Sequence, residues 1–594
     1  MVKKKQLIIQ LMYISFILLF MVVPIWADTK VSEKIITNTT WTKAGSPYTV
    51  TETVEVAEEV TLNVESGVKV LFNENAGLIV SGQLIAIGTQ EETIDFTSSK
   101  EAPSPADWDG IVFKDSSTDA STDSEYCYQS GSILKYCTIE HAGPAITCEF
   151  SAPFIAHCTI TNNSTEGSGG GIYISGDAVV INNIITNNKT TSVFGNGGGI
   201  YSIGSSVYIA NNTIDGNYAF SNGGGIFASG NTTIKNNIII NNSANGCGGG
   251  FYIYYGSHTV EKNSVTSNST DGSGGGIYNH YGEITIEGNN ISNNSAGLYG
   301  GGICILGNSV VIDSNSITNN STDDNLGGGI YYATKSIIDY GPLMVSTNNI
   351  HSNKGYDIYN NTKLEISAEN NYWGVTDTSV IDEHIFDMSD DIVLGMVSYE
   401  PIATQPHTLD NLFAFPSSHD FGSVNIESKA THTFTIFNMD TKDHTIGTLS
   451  VTGTSASEFA IQDDNCSGHT ITPPGNCTVD VVFSPTSTGI KEATLSIPIN
   501  DTNTTKLDVE ISGKGTLEVC PAEKIYGDSS KQTKLLRYLR DNVLSQSPEG
   551  QEIIRLYYEW SPVIVQEMEE DEEFKGELKE RIDGVLEFIE GGAK

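Results

Sequence analysis

Residues able to carry out chemistry are sparse in the middle of this 594-residue chain. Hydrolysis of a glycosidic bond needs two carboxylates at a set separation, and Asp323-Asp324 is the only acidic doublet within residues 169–330. It sits beside Ser321, Thr322 and Asn325, a composition ordinary for a turn. No catalytic residue is assigned; Asp323 and Asp324 are the candidates should the chain be an enzyme. Asp382-Glu383-His384 reads as a solvated connector, and His141, His258 and His280, each without a repeated partner, are expected on surface turns. There is no nucleophile elbow, P-loop or metal-binding helix pair. Turn oxygens could hold Ca2+, but no acidic motif recurs, so no metal or other cofactor is expected. A formal net charge of −41 disfavours nucleic acid as a partner.

The elements that would position any site announce themselves as a repeat. A glycine triplet followed by an apolar residue ends at Gly171, Gly199, Gly225, Gly250, Gly276, Gly302 and Gly329, with spacings of 28, 26, 25, 26, 26 and 27 residues. A period in this range predicts a solenoid. Between triplets, Ile172, Ile174, Val179, Ile181 and Ile184 fall in short β-branched segments with period two, which predicts strands with one inward face. Asn pairs such as Asn182-Asn183, Asn187-Asn188 and Asn289-Asn290 separate them. Asn tolerates left-handed dihedrals and bonds its own backbone, which suits a corner. One Asn per coil could stack into an amide ladder. Glycine supplies positive φ or close approach.

The run Ile181–Asn188 followed by Gly197-Gly198-Gly199-Ile200-Tyr201 resembles the right-handed parallel β-helix proteins of the pectate-lyase-like superfold, over roughly residues 40–400. The resemblance implies fold far more than task. Its active lyases use Arg or Lys beside calcium, and no Arg precedes Arg537 here. Asn370-Asn371-Tyr372-Trp373-Gly374 resembles a terminal-coil motif in which Trp373 covers the last rung; a sugar-stacking platform is the other reading of that ring. Cys137 and Cys158, like Cys127 and Cys148, lie 21 residues apart, about one coil. The first pair reads as stacked inward thiols, either a disulfide or small buried hydrophobes, and the redox state of all four stays open.

Residues 1–27 carry Lys3-Lys4-Lys5, an apolar run from Leu7 to Val23 and Ala27 before Asp28, the pattern of a signal peptide, with an uncleaved anchor as the other reading. Residues 28–400 form the expected β-helix. Residues 409–515 alternate as a sandwich, and Phe421-Gly422-Ser423-Val424 and Pro474-Gly475-Asn476-Cys477 resemble the ASH-type immunoglobulin-like domains, which implies a Cys466–Cys477 disulfide. Residues 516–594 are helical in pattern; Cys520 and Ile525-Tyr526-Gly527 resemble a C-terminal domain opening on a Cys-Phe-Ile box, although Pro521-Ala522 replace Phe-Ile. The fold class is thus mainly β: a parallel β-helix, a small β-sandwich and a helical module. The expected protein is an exported, monomeric, non-enzymatic surface protein that meets a glycan or another surface ligand in adhesion, with a membrane only through export or anchoring. The contrary expectation is a polysaccharide lyase, epimerase or glycoside hydrolase.

Overall fold

In the computed structural model the glycine repeats are rungs of one parallel solenoid. The structure describes residues 29–516, apart from 91, 124–125, 127, 308, 335–342, 408–411, 416–417, 427, 439–441, 473–474 and 501–505, together with parts of 521–583. The proposed export segment, Cys127 and Cys520 lie outside the described residues.

Each coil contributes one short strand to each of three long parallel sheets. Among the described residues these hold 13, 14 and 13 strands. The glycine sheet runs from Val54–Val56 to Ile385–Phe386, the second from Thr39–Trp41 to Val397–Ser398, and the third from Thr29–Val31 to Asn349–His351. A fourth sheet of two-residue strands runs from Ser164–Thr165 to Ser321–Thr322. At about 4.8 Å per rung, 13 rungs make a rod of roughly 60 Å.

Register explains the interior. Ile146, Ile172, Ile200, Ile226, Phe251, Ile277, Ile303, Ile330 and Ile358 lie one above the next and are wholly buried. Each such side chain contributes roughly 1.5–3 kcal/mol on leaving water, and none could do so in an isolated coil.

Two buried carboxamide ladders hold the corners. One runs through Asn163, Asn188, Asn217, Asn242, Asn268, Asn294, Asn320 and Asn353, each Nδ2 donating to the next Oδ1 at 2.8–3.1 Å. The other runs through Asn183, Asn212, Asn237, Asn263, Asn289, Asn315, Asn348 and Asn371. In most pairs the first Asn takes positive φ, as Asn182 (60°) and Asn187 (55°) do, and the second joins the ladder. Asn289-Asn290 differs: Gly288 takes the turn at φ 66° and Asn289 is the rung.

Glycine also divides its work. The first of each triplet has positive φ (Gly169 73°, Gly248 71°). The third provides closeness instead: a Cβ on Gly276 would stand 2.7 Å from the Gly302 carbonyl and 3.1 Å from Asn294 Nδ2.

Trp373 is 4 % exposed inside the core, which removes it as a sugar platform. It does not close the stack either, because Ile385–Phe386 and Val397–Ser398 add a further rung beyond it. Cys137 and Cys158 stack through the register Thr138↔Thr159 as buried free thiols. Cys148 lies between Phe113 and Ile174, so the rung beneath it carries Phe113.

Beyond the rod, two four-stranded sheets form an immunoglobulin-like sandwich around Phe434, Val479, Val481, Phe483 and Leu495, with Cys466 and Cys477 joined by a disulfide. The described part of the C-terminal region packs Ile564, Met568, Phe574, Leu578 and Ile582 against Ile525 and Leu536. No described helix is long and apolar enough to cross a membrane.

Candidate functional site

The outward face of the glycine sheet carries a column of rings. Tyr173, Tyr201, Phe227, Tyr252 and Tyr278 occupy successive rungs with centroids 4.9–5.2 Å apart. Cys304 interrupts the column, and Tyr299 from the neighbouring loop stacks on Tyr331 at 4.5 Å. Phe227, Tyr252, Tyr278 and Tyr331 are only 5–7 % exposed, so this column is packing more than a surface.

Two residues further along each strand the rings reach solvent. Tyr254 and His280 are register partners, and Tyr255 and Tyr281 follow them at the corner. Tyr254 meets Tyr255 edge-on at 4.6 Å, Tyr255 lies 5.6 Å from Tyr281, and His280 lies 4.8 Å from Tyr281. Tyr254 and Tyr255 are 38 % and 49 % exposed. His280 Nδ1 shares a 2.6 Å hydrogen bond with Tyr252 Oη, which fixes the imidazole against the buried column. Ser257 donates to Glu283 at 3.3 Å and completes a polar rim.

The backbone beneath this ledge is strained. Tyr255 and Tyr281 have φ of 48° and 61°, while the same coil position one rung before and one rung after is Gly230 (86°) and Gly307 (73°). A side chain with Cβ pays about 1 kcal/mol in that region, and glycine does not. Two central rungs therefore accept strain in order to carry a ring.

The core is adapted to hold those corners. His258, inward-facing between Thr232 and Ile284, donates Nε2–H to the Tyr255 carbonyl at 2.5 Å. Burial pushes its imidazole below the ordinary range, so it stays a neutral donor. In the next coil the buried Asn279 donates Nδ2–H to the Gly282 carbonyl at 2.9 Å and accepts from the Gly282 N–H at 3.1 Å. His258 and His280 are thus part of this ledge and not residues of separate surface turns. The sequence reading placed them on surface turns because each occurs once; the available signal was a polar residue at an inward position of an aliphatic repeat, two to three residues from a Tyr-Tyr or His-Tyr pair.

Asp323 and Asp324 lie exposed in the turn after Ser321–Thr322, and among the described residues no hydrogen bond or ion pair reaches either carboxylate. Among the described residues no group of three or more His, Cys, Asp or Glu side chains converges as a metal would require. Asp382 ends the short helix Thr378–Asp382 and accepts from Tyr399 at 2.8 Å.

His384 does meet a carboxylate, at the end of the first ladder. Asn353 donates Nδ2–H to Asp357 Oδ1 at 2.8 Å, and His384 Nδ1 lies 3.8 Å from Oδ2. Burial pushes the Asp357 carboxyl up to about 6, against the opposing pull of Asn353 and His384. A folded-state value above the unfolded one means that folding favours the protonated acid. Stability from this group is therefore present below about pH 4 and lost as pH rises through about 6. Asp357→Asn is expected to exceed the wild type by up to about 3 kcal/mol at pH 7, with the gap closing towards pH 4. Urea unfolding at pH 4, 5.5 and 7 measures it; a gap that does not narrow at low pH contradicts the assignment.

Fold and ledge together define a right-handed parallel β-helix protein with an appended immunoglobulin-like domain. Residues 109–283 match the family model described as right handed beta helix region, and residues 411–514 match that of the HYDIN/CFA65/VesB-like, Ig-like domain. Comparison with curated proteins returns no match. Among solved structures, the chain is similar to the secreted serine protease VesC from Vibrio cholerae, at 22% identity over 18% of this chain and 23% of that one, TM-score 0.15. It is similar to the Vibrio cholerae VesB protease at 20% identity over 18% and 32%, TM-score 0.14. The ASH/PapD-like domain of human CEP192 matches at 14% identity over 18% and 85%, TM-score 0.15. The match thus spans about a quarter of VesC and a third of VesB.

Proposed function

We propose that this is an exported, extracellular β-helix protein that binds carbohydrate through Tyr254, Tyr255, His280 and Tyr281 without turning it over, and so serves in adhesion to a glycan-bearing surface. The observation that carries the reading is the strained placement of Tyr255 and Tyr281 between Gly230 and Gly307. Exposed rings with a wet edge offer the apolar faces of sugar rings a platform and their hydroxyls a partner. Strain retained at two positions supports a role other than stability. The Cys466–Cys477 disulfide accords with an oxidising compartment outside the cytosol.

The test is a glycan array, run beside a reducing-end assay on the same glycans. Wild type is expected to bind without releasing product. Tyr255→Gly/Tyr281→Gly is expected to lose at least tenfold in affinity while its stability holds or rises by up to about 1 kcal/mol per site. Loss of binding with a matching loss of stability would make the two tyrosines structural. Turnover abolished by Asp323→Ala or Asp324→Ala would replace this reading with an enzyme.

A further inference from the structure

The immunoglobulin-like domain follows the last coil yet lies back against the flank of early ones. A crevice of about 560 Å³ separates the two bodies, lined on the rod by Tyr136, His157 and Asn182 and on the domain by Phe413, His432 and Phe437. Groups able to carry positive charge gather there from both sides. On the rod, His157 stacks on Tyr136 at 4.8 Å and meets Asn182 Nδ2 at 3.3 Å through Nε2, while Lys135 Nζ lies 5.5 Å from the Tyr136 ring. On the domain, His419 and His432 stack ring on ring at 3.6 Å and 14°.

We propose that this contact is a proton-operated latch: neutral His157 and His419 permit the domain to close on the rod, and their protonation releases it and bares the rod face from Tyr136 to Asn236. The proposal stands apart from the glycan reading, since it uses a different face of the coil.

The charge balance gives the direction. Facing His157 and His419 are Lys135, His432, the Tyr136 phenol and the carboxylate of Asp420, which acts on Lys135. Asp480 is engaged by the Thr433 hydroxyl at 2.6 Å. Four basic groups thus share an interface with one carboxylate, Asp420, whose Oδ1 already accepts from the Gly422 N–H at 2.9 Å. Burial first, then Lys135 and the neighbouring imidazoles, push His157 and His419 down to about 3. Burial also pulls the Lys135 ammonium below its ordinary range. Opening takes the rod's His157 and Lys135 away from His419 and the domain's His432 away from His157, so each imidazole moves up towards its ordinary value of about 6.5. Closure is therefore undiminished above about pH 6.5 and weakens as pH falls, because the open form binds the extra protons. At pH 5 each imidazole shifts the ratio of open to closed by up to about thirtyfold, and the two together by up to about a thousandfold.

Small-angle scattering of the full chain at pH 7.5, 6, 5 and 4.5, with circular dichroism recorded alongside, reads the latch. The expected result is a radius of gyration that grows at low pH while the β signal is unchanged. His157→Gln/His419→Gln should stay closed at pH 5. His419→Gln alone, on an outer strand of the domain, should retain half of the logarithmic shift and serves if the double variant does not fold. A wild-type envelope constant from pH 7.5 to 4.5 overturns the latch. So does opening of either variant at the wild-type pH.

Discussion

Asn242→Leu is expected to destabilise the rod by on the order of 4 kcal/mol. Asn242 Nδ2 donates to Asn268 Oδ1 at 3.0 Å and to the Ile214 carbonyl at 2.9 Å. Its Oδ1 accepts both the Asn217 backbone N–H and Asn217 Nδ2 at 3.0 Å. Leucine is close in volume but leaves these partners buried without water, and each orphaned group costs about 1–3 kcal/mol. Asn163, at the beginning of the same ladder, has fewer rungs to interrupt, and Asn163→Leu is expected to cost less. Urea unfolding followed by the fluorescence of Trp41, Trp108 and Trp373, all buried in the rod, measures the difference. Equal and small losses at both positions would mean that the ladder is incidental to the aliphatic stack.

Gly250→Ala is expected to cost roughly 3 kcal/mol or more, although its backbone is not in the left-handed region. The added Cβ would stand 2.6 Å from the Gly276 carbonyl, 3.1 Å from Val265 Cγ1 and 3.3 Å from Asn268 Nδ2. Two of these belong to the strand and ladder that fix the rung spacing, so relief requires coils to part. Gly576→Ala is the control: nothing lies within 4 Å of its added Cβ, and the residue is in a helix. There alanine should be neutral or stabilising by up to about 1 kcal/mol. A tolerated Gly250→Ala would show that the third glycine is dispensable.

Both losses come from parts of the molecule that the sequence displays openly. The triplets, the paired Asn and the period-two aliphatics recur, and recurrence makes the architecture readable because each coil satisfies its core and corners only through its neighbours. Cys137 and Cys158 follow the same logic, since a one-coil spacing becomes a stack once the register is set. Trp373 shows where the reading fails: a motif at the point of fading periodicity suggested the end of the stack, but two of the three sheets gain a further strand after it, Ile385–Phe386 and Val397–Ser398, which carry no repeat.

The candidate surfaces were less visible. His258, Asn279, Tyr255 and Tyr281 each break the repeat once, and a single exception looks like drift until the coils are stacked. Only then does His258 prove to hold the carbonyl of Tyr255, and Tyr255 and Tyr281 prove to stand where Gly230 and Gly307 stand elsewhere. The closeness of His157 to His419 and His432 was wholly hidden, because it depends on how one body lies on another. Local pattern determined the coil, its period and its corners, since those are enforced by steric and hydrogen-bonding demands that every repeat shares. The tertiary structure alone decided which irregular residues meet, because contacts between different coils and different domains are set by register and packing and leave no periodic trace in the chain.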